Sequence, residues 1–463
     1  MSQQLQTISP IDGAVIVRRD YASAEQARET LKRARAAQSV WRGVPLEQRA
    51  ALLSKGVDSF VARKAQIAEE LTRQMGRPLR YTPGEVGGFE ARARHMIAIA
   101  SDALHDVTPA PIPGFTRFIR REPLGVVLVI APWNYPLLTA VNAVVPALMA
   151  GNAVLLKHSA QTPLAAERIV EAFANAGLPD GLLQFIHTDH DGTQSLIKAP
   201  QVDGVCFTGS VAGGAAVEHA AAGRFIQVGL ELGGNDPAYV RADARLEHAV
   251  ETLVDGAFFN SGQSCCGIQR IYVQRSVYAR FVEQAVALTR QYVLGNPLDA
   301  ATTLGPVVRA AAADAVRNTI AEATGKGAKC LIDARQFKLD TPGSAYVAPQ
   351  ILVDVNHGMQ VMSDECFGPV VGIMPVDSDD AALRLMNDSP YGLTAALFTQ
   401  DEDVALKLGD RLQTGTVFMN RCDYLDPALA WTGVKNTGRG ATLSTLGYEH
   451  LTRPKSFHLR RLA

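Results

Sequence analysis

Between residues 124 and 156 the chain carries almost no charge, and this run limits the fold more than any other feature. A membrane-spanning helix needs about 20 apolar residues in a row. Here Pro132, Asn134, Pro136, Asn142, Pro146 and Asn152 interrupt the run. A buried strand followed by a buried helix accounts for it better. Residues 125–131 read GVVLVIA, the Val- and Ile-rich composition of a strand covered on both faces. Such strands belong to α/β layers, with a largely parallel sheet between helices.

The rest of the chain repeats the alternation. Residues 22–110 read mostly as helices, with Ser23 as a cap answered by Gln26 three positions on. A second strand is expected at 153–156, a helix at 163–176, and strands at 183–187 and 204–207. A second block opens near Glu231, with helices at 246–259, 277–292 and 310–325. A strand falls at 271–274, and a strand-rich stretch reaches Val376. Residues 109–114 are expected to leave the body, and 456–459 to form an edge strand. No internal repeat or low-complexity linker appears. For 463 residues, two or three domains are expected, with two α/β units in series.

Composition removes several functions. Lysine and arginine total 45 against 46 acidic residues, with no basic run, so a nucleic-acid partner is not expected. Residues 1–10 are polar and lack a secretory pattern, which points to the cytoplasm. None of the six cysteines stands in C-x-x-C spacing, and reduced thiols are expected. His187 and His190 are the closest histidine pair, but no matching ligand pair follows, so no metal site is expected.

Four segments can carry chemistry, and each also has a plainer reading. Asn260-Ser261-Gly262-Gln263-Ser264-Cys265-Cys266 breaks an apolar helix and presents a cysteine after a glycine turn. Backbone N–H groups at such a turn lower a thiol pKa and can hold an oxyanion; alternatively the cysteine is a small core residue. A tyrosine-phosphatase loop needs arginine six positions on, where Ile271 stands. Leu230-Glu231-Leu232-Gly233-Gly234 sets a carboxylate between leucines. It reads as a desolvated base or as a strand-end glutamate in a turn. Residues 131–136 (APWNYP) follow the first strand, where α/β sheets bind ligands, and Asn134 offers an amide donor. A proline-bounded turn reads equally from those residues. Phe207-Thr208-Gly209-Ser210-Val211 opens a helix with small residues, as phosphate cradles do, without the G-x-G-x-x-G fingerprint.

Together these segments resemble the aldehyde dehydrogenase superfamily. The resemblance runs through PWNYP at 132–136, GNAVLLK at 151–157, FTGS at 207–210 and LELGG at 230–234. It continues through GQSCC at 262–266, ECFGP at 365–369 and GVKNTGRG at 433–440. It implies an α/β fold with a Rossmann-like NAD(P)-binding domain (1–104 and 124–232) and a catalytic domain (233–434). A small β oligomerisation flap with the C-terminal tail (105–123 and 435–463) would complete a homodimer or homotetramer. It assigns Cys265 as nucleophile, Glu231 as general base and Asn134 as oxyanion donor. Lys157 would hold the adenosine ribose and Ser210 would lie at the pyrophosphate. Glu365 would meet the nicotinamide ribose, with Phe367 beside the nicotinamide. Trp133, His158, Ser159, Ala160, Gly209, Val211 and Leu232 would fall at neighbouring cofactor contacts.

The implied chemistry is oxidation of a small aldehyde to an acid through a thioester on Cys265, with hydrolysis driven by Glu231. Relatives that pass the acyl group to coenzyme A typically lack this glutamate. Many NAD-preferring relatives carry glutamate where Ala160 stands. Its absence removes a repulsion against a 2′-phosphate, so both NAD and NADP are expected cofactors. Asn235 stands where a lysine is common. Tyr135, Thr139, Asn142, Leu425 and Trp431 would line the substrate tunnel, with Ser264 and Cys266 beside the nucleophile. LLKH and GG-x-DP are similar to a bacterial semialdehyde dehydrogenase subgroup, and Arg421 would then meet a substrate carboxylate or be a surface residue. A medium-chain or aromatic aldehyde is the other substrate reading. Non-redox acyl transfer or esterase use of Cys265, and a non-catalytic relative, are the rival functions.

Overall fold

The structure is a computed structural model and describes residues 4–462; Met1–Gln3 and Ala463, the extreme ends of the expected segments, lie outside the described residues. It begins with a hairpin, β1 (Gln4–Ile8) and β2 (Val15–Asp20). Four helices follow: α1 (Ala24–Trp41), α2 (Leu46–Val61), α3 (Lys64–Met75) and α4 (Thr82–Leu104). The Ser23–Gln26 capping box is formed at the start of α1. Next come β3 (Phe115–Pro123), β4 (Val126–Ala131), α5 (Pro136–Met149), β5 (Ala153–His158), α6 (Pro163–Asn175) and β6 (Leu183–Phe185). Then come α7 (His190–Lys198), β7 (Gly204–Thr208), α8 (Val211–Ala221) and β8 (Gln227–Glu231). The uncharged run is therefore β4, α5 and the start of β5, all buried.

Strands β4 to β8 form one sheet in the order β8-β7-β4-β5-β6, all parallel. The chain builds β4-β5-β6 outward, then returns to the other side of β4 with β7 and β8. The order thus reverses between β4 and β7, and their carboxyl ends open a crevice suited to a ligand. Residues 132–135 and 209–210 occupy those ends.

The second unit begins four residues past β8 with β9 (Asp236–Val240). It continues with α9 (Leu246–Phe258), β10 (Ile268–Gln274), α10 (Arg275–Thr289), α11 (Ala310–Gly325), β11 (Lys329–Cys330), β12 (Gln350–Val353), β13 (Val370–Val376), β14 (Thr394–Phe398) and β15 (Thr416–Met419). Its sheet runs β11-β12-β13-β10-β9-β14-β15, parallel except for β11.

After β15 the chain adds β16 (Trp431–Thr432), β17 (Gly438–Arg439), β18 (Ala441–Thr442) and β19 (Thr452–Arg460). β17 returns to the first sheet and pairs antiparallel with the end of β8, placing Gly438 opposite Glu231. Tyr448 and Leu451 enter the first core. β19 pairs with β3 over nine positions, from Thr452↔Pro123 to Arg460↔Phe115, as a two-stranded ribbon. Among the described residues no helix is long and apolar enough to cross a membrane.

Candidate active site

The two sheets meet end to end, and the motif residues lie along the seam. Glu231 closes β8 at the carboxyl edge of the first sheet. Cys265 lies three residues before β10, and Phe367 three before β13, at the amino edge of the second. Residues 232–235 cross the gap and are held on both sides. Leu232 N–H donates to the Thr437 carbonyl at 2.8 Å, and Gly234 N–H to Glu365 Oε1 at 3.1 Å. The buried Asn235 amide donates to the Asp364 carbonyl, while Arg270 Nε donates to the Asn235 carbonyl at 2.9 Å. Asn235 is thus a strut between the loops that carry Glu231 and Glu365.

The cysteine loop is built from residues in uncommon backbone conformations. Asn260, Ser261 and Gly262 all have positive φ, at 53°, 55° and 71°. Each is pinned. Arg77 Nε donates to Asn260 Oδ1 at 3.0 Å, Ser261 Oγ to the Gly305 carbonyl at 2.8 Å, and Val308 N–H to Gln263 Oε1 at 2.7 Å. A Cβ on Gly262 would stand 2.1 Å from the Gly368 carbonyl oxygen, so only glycine fits there. The Asn134 side chain donates to the Gln263 carbonyl at 3.2 Å, tying the turn after β4 to this loop.

Cys265, Ser264, Cys266, Glu231, Leu232, Tyr135, Thr139, Leu425 and Trp431 all line one cavity of about 340 Å³, as does Asn142. The Glu231 carboxylate accepts from Thr208 Oγ1 at 2.9 Å and from Thr442 Oγ1. Burial raises its pKa, while the two threonine donors and the Arg92 charge oppose that rise. Cys266 is the more committed thiol, donating to Asp423 Oδ1 at 2.9 Å. Its hydrogen bond with Cys265, then burial, push its pKa well above the ordinary range.

The expected cofactor residues gather around the crevice. Trp133 and Phe367 pack edge to face at 5.6 Å and line a neighbouring hollow with Gln263 and Cys366. Ser210 caps α8, accepting from Gly213 N–H, and Val211 is the first residue of the helix. Gly209 N–H donates to the Glu231 carbonyl at 3.0 Å. Lys157 and His158 end β5, followed by Ser159 and Ala160, whose carbonyl accepts from Thr7 Oγ1 at 2.8 Å. Burial lowers the pKa of Lys157 and takes His158 down to about 3, so that imidazole is neutral. Burial also pushes Glu365 up to about 7, against the Gly234 N–H.

Arg421 does not join this cavity. It is exposed, lines a separate hollow, and lies over the Tyr424 ring at 3.3 Å. Sequence reasoning missed Arg77, Arg92, Asp423 and Thr442. Arg92 carried a partial signal, because it shares the buried face of α4 with Glu85, whereas Arg77 precedes that helix. Thr442 carried none, since β17 and β18 are too short to leave a pattern. Among the described residues no group of three or more His, Cys, Asp or Glu could hold a metal.

Comparison with known proteins agrees with this geometry. The profile of the aldehyde dehydrogenase family matches residues 1–457. The chain is 33% identical to the succinate semialdehyde dehydrogenase [NAD(P)+] Sad of Escherichia coli K12, over 95% of this chain and 95% of that one. It is 34% identical to a betaine aldehyde dehydrogenase of Agrobacterium fabrum, over 98% and 92%. The crystal structure of an aldehyde dehydrogenase from Brucella melitensis biovar abortus superposes with a TM-score of 0.95 at 29% identity, covering 99% of this chain and 94% of that one.

Proposed function

The chain belongs to the aldehyde dehydrogenase family, and on that premise we propose that it oxidises an aldehyde to the free acid with NAD(P)+ through a thioester on Cys265. One observation carries this reading: a single cavity presents Cys265 and Glu231 together, although Glu231 ends a strand of one sheet and Cys265 lies in the loop before a strand of the other. The residues present also fit the dinucleotide. The largely buried Lys157 ammonium has no acceptor among the described residues, and Glu365 accepts only from the Gly234 N–H. We assign Lys157 to the adenosine ribose, Ser210 to the pyrophosphate, Glu365 to the nicotinamide ribose and Phe367 to the nicotinamide face. With Ala160 in place of a carboxylate, the site admits NAD and NADP alike.

The Cys265 thiolate attacks the aldehyde carbon, forming the C–S bond. The Asn134 amide and the Cys265 backbone N–H hold the resulting oxyanion. When bound, the nicotinamide accepts the hydride that this carbon loses. Glu231 then takes a proton from water as its oxygen adds to the thioester carbonyl; the C–S bond breaks and the acid leaves. Asp423 keeps Cys266 protonated and out of competition.

We further assign residues 1–104 and 124–232 to the cofactor, 233–434 to catalysis, and 105–123 with 435–463, which hold the β3–β19 ribbon, to assembly of a dimer or tetramer. A two-stranded ribbon is marginal alone, and an edge paired only at the Val107–Ile119 bridge favours a partner. Free cysteines suit the reducing cytoplasm.

Cys265→Ala tests the core of this reading. We expect it to abolish NAD(P)H formation from any aldehyde while nucleotide binding, read by fluorescence quenching, persists. Normal turnover by the variant would move the nucleophile elsewhere.

A further inference from the structure

Two arginines reach the cavity, and their surroundings differ. Arg77 is matched: it donates to the Glu85 carboxylate, to Asn260 Oδ1 and to the Asn134 carbonyl. Arg92 lies seven residues further along α4, two turns from Glu85 on the same buried face, and is only 8% exposed. Its Nη1 donates to the Leu138 carbonyl at 3.0 Å and to Asn142 Oδ1 at 3.2 Å, both neutral acceptors on α5. Among the described residues no carboxylate forms an ion pair with it, and its Nε and Nη2 have no partner. A buried cation without a counter-charge is costly, and a strut between two helices does not need one.

Nor is that charge taken up by its neighbours. The Glu231 carboxylate is already held by Thr208 and Thr442. Asp423 is engaged by Ser264 at 3.2 Å and by Cys266 at 2.9 Å. What remains unsatisfied is a planar fork of donors in the same cavity as Cys265, with Leu138, Leu425 and Trp431 as apolar lining. A carboxylate is the group that such a fork binds best, through two parallel N–H···O bonds.

We propose that Arg92 receives a carboxylate at the far end of the substrate, and that the preferred substrates are aldehydes with a terminal carboxylate. This assignment rests on the aldehyde oxidation proposed above. It makes Asn142 a positioning residue, which fixes one side of the guanidinium and turns the other toward the ligand.

The test uses the full-length protein and two aldehydes of matched shape, 4-oxobutanoate and the neutral 4-methylpentanal. Wild-type protein should favour the carboxylate by at least about tenfold in kcat/KM, the size expected of one charge-assisted pair. Arg92→Gln should collapse that ratio by raising KM for 4-oxobutanoate, and Arg92→Lys should restore part of it. A purely structural role would weaken both substrates equally, which would overturn the proposal. Should Arg92→Gln fail to fold, the wild-type ratio and the Lys variant still decide. Equal kcat/KM for both aldehydes in wild type overturns the Arg92 assignment alone. Oxidation of neither removes the aldehyde reading, and this one falls with it.

Discussion

Glu231 is pulled in two directions, and its pH behaviour follows from which pull is removed. Burial opposes ionisation, while the Thr442 and Thr208 hydroxyls support it. The base works only when ionised, so the acid limb of kcat should lie above the usual glutamate range. Thr442→Val deletes a donor to the ionised form, so the pKa rises further and the limb moves to higher pH. Below that limb kcat should fall about tenfold per pH unit. A pH profile with an unmoved limb would remove Thr442 from the base's support. At the other end of the site, Ala160→Glu would place a carboxylate against a 2′-phosphate. KM for NADP should rise about tenfold or more, with NAD much less affected; parallel changes for both cofactors would sink the role given to residue 160. Cys265 and Glu231 were singled out because their segments stand in the family's order of motifs; each alone also read as an ordinary core cysteine or strand-end glutamate. The spacing of Arg92 and Glu85 on one helix face was readable, but nothing in the sequence shows that this arginine lacks a counter-charge.

At the scale of elements, the cysteine loop shows how backbone strain is held for function. Three successive positive-φ residues persist because the loop is held by the Arg77 side chain ahead of α4, the turn after β4 and the backbone of Gly305 and Val308. Gly262→Ala would force the loop off the Gly368 carbonyl. A displacement of about 1 Å is enough to cost roughly 10²-fold in kcat. We expect that loss, together with slower alkylation of Cys265 by iodoacetamide. Full kcat with only a lowered Tm would mean the loop does not set the nucleophile. The buried strands were readable from Val and Ile content, since burial on both faces leaves little choice of residue. The strand expected at 183–187 stops at Phe185, where the chain turns so that His187 can bond Glu167 at 3.0 Å. The β1–β2 hairpin was not foreseen. Of β1 only Leu5 and Thr7 are buried, with Gln4, Gln6 and Ile8 exposed, though Asp12-Gly13 marks its turn, with Gly13 at φ 76°.

For the whole molecule, the ribbon of β3 and β19 is the feature least explained by a single chain. It carries exposed Ile119 and Leu459, and among the described residues only a single bridge, Val107 to Ile119, adds to its two strands. Ile119→Asp combined with Leu459→Asp should give a smaller species by light scattering while circular dichroism stays the same. An unchanged mass would remove the ribbon from assembly. By itself the sequence determined the alternating α/β layers and the order of the motifs, and through those motifs the resemblance that singles out Cys265, Glu231 and Asn134. These are local properties, written in periodicity and in the neighbours of each residue. Only the tertiary structure decided that Glu231 and Cys265 share a cavity, that β17 and Thr442 fold back to hold the base, and that Arg421 lies outside while Arg92 lies within. Those outcomes depend on how the carboxyl edge of one sheet abuts the amino edge of the other, and contacts between residues so far apart in the chain leave no local pattern.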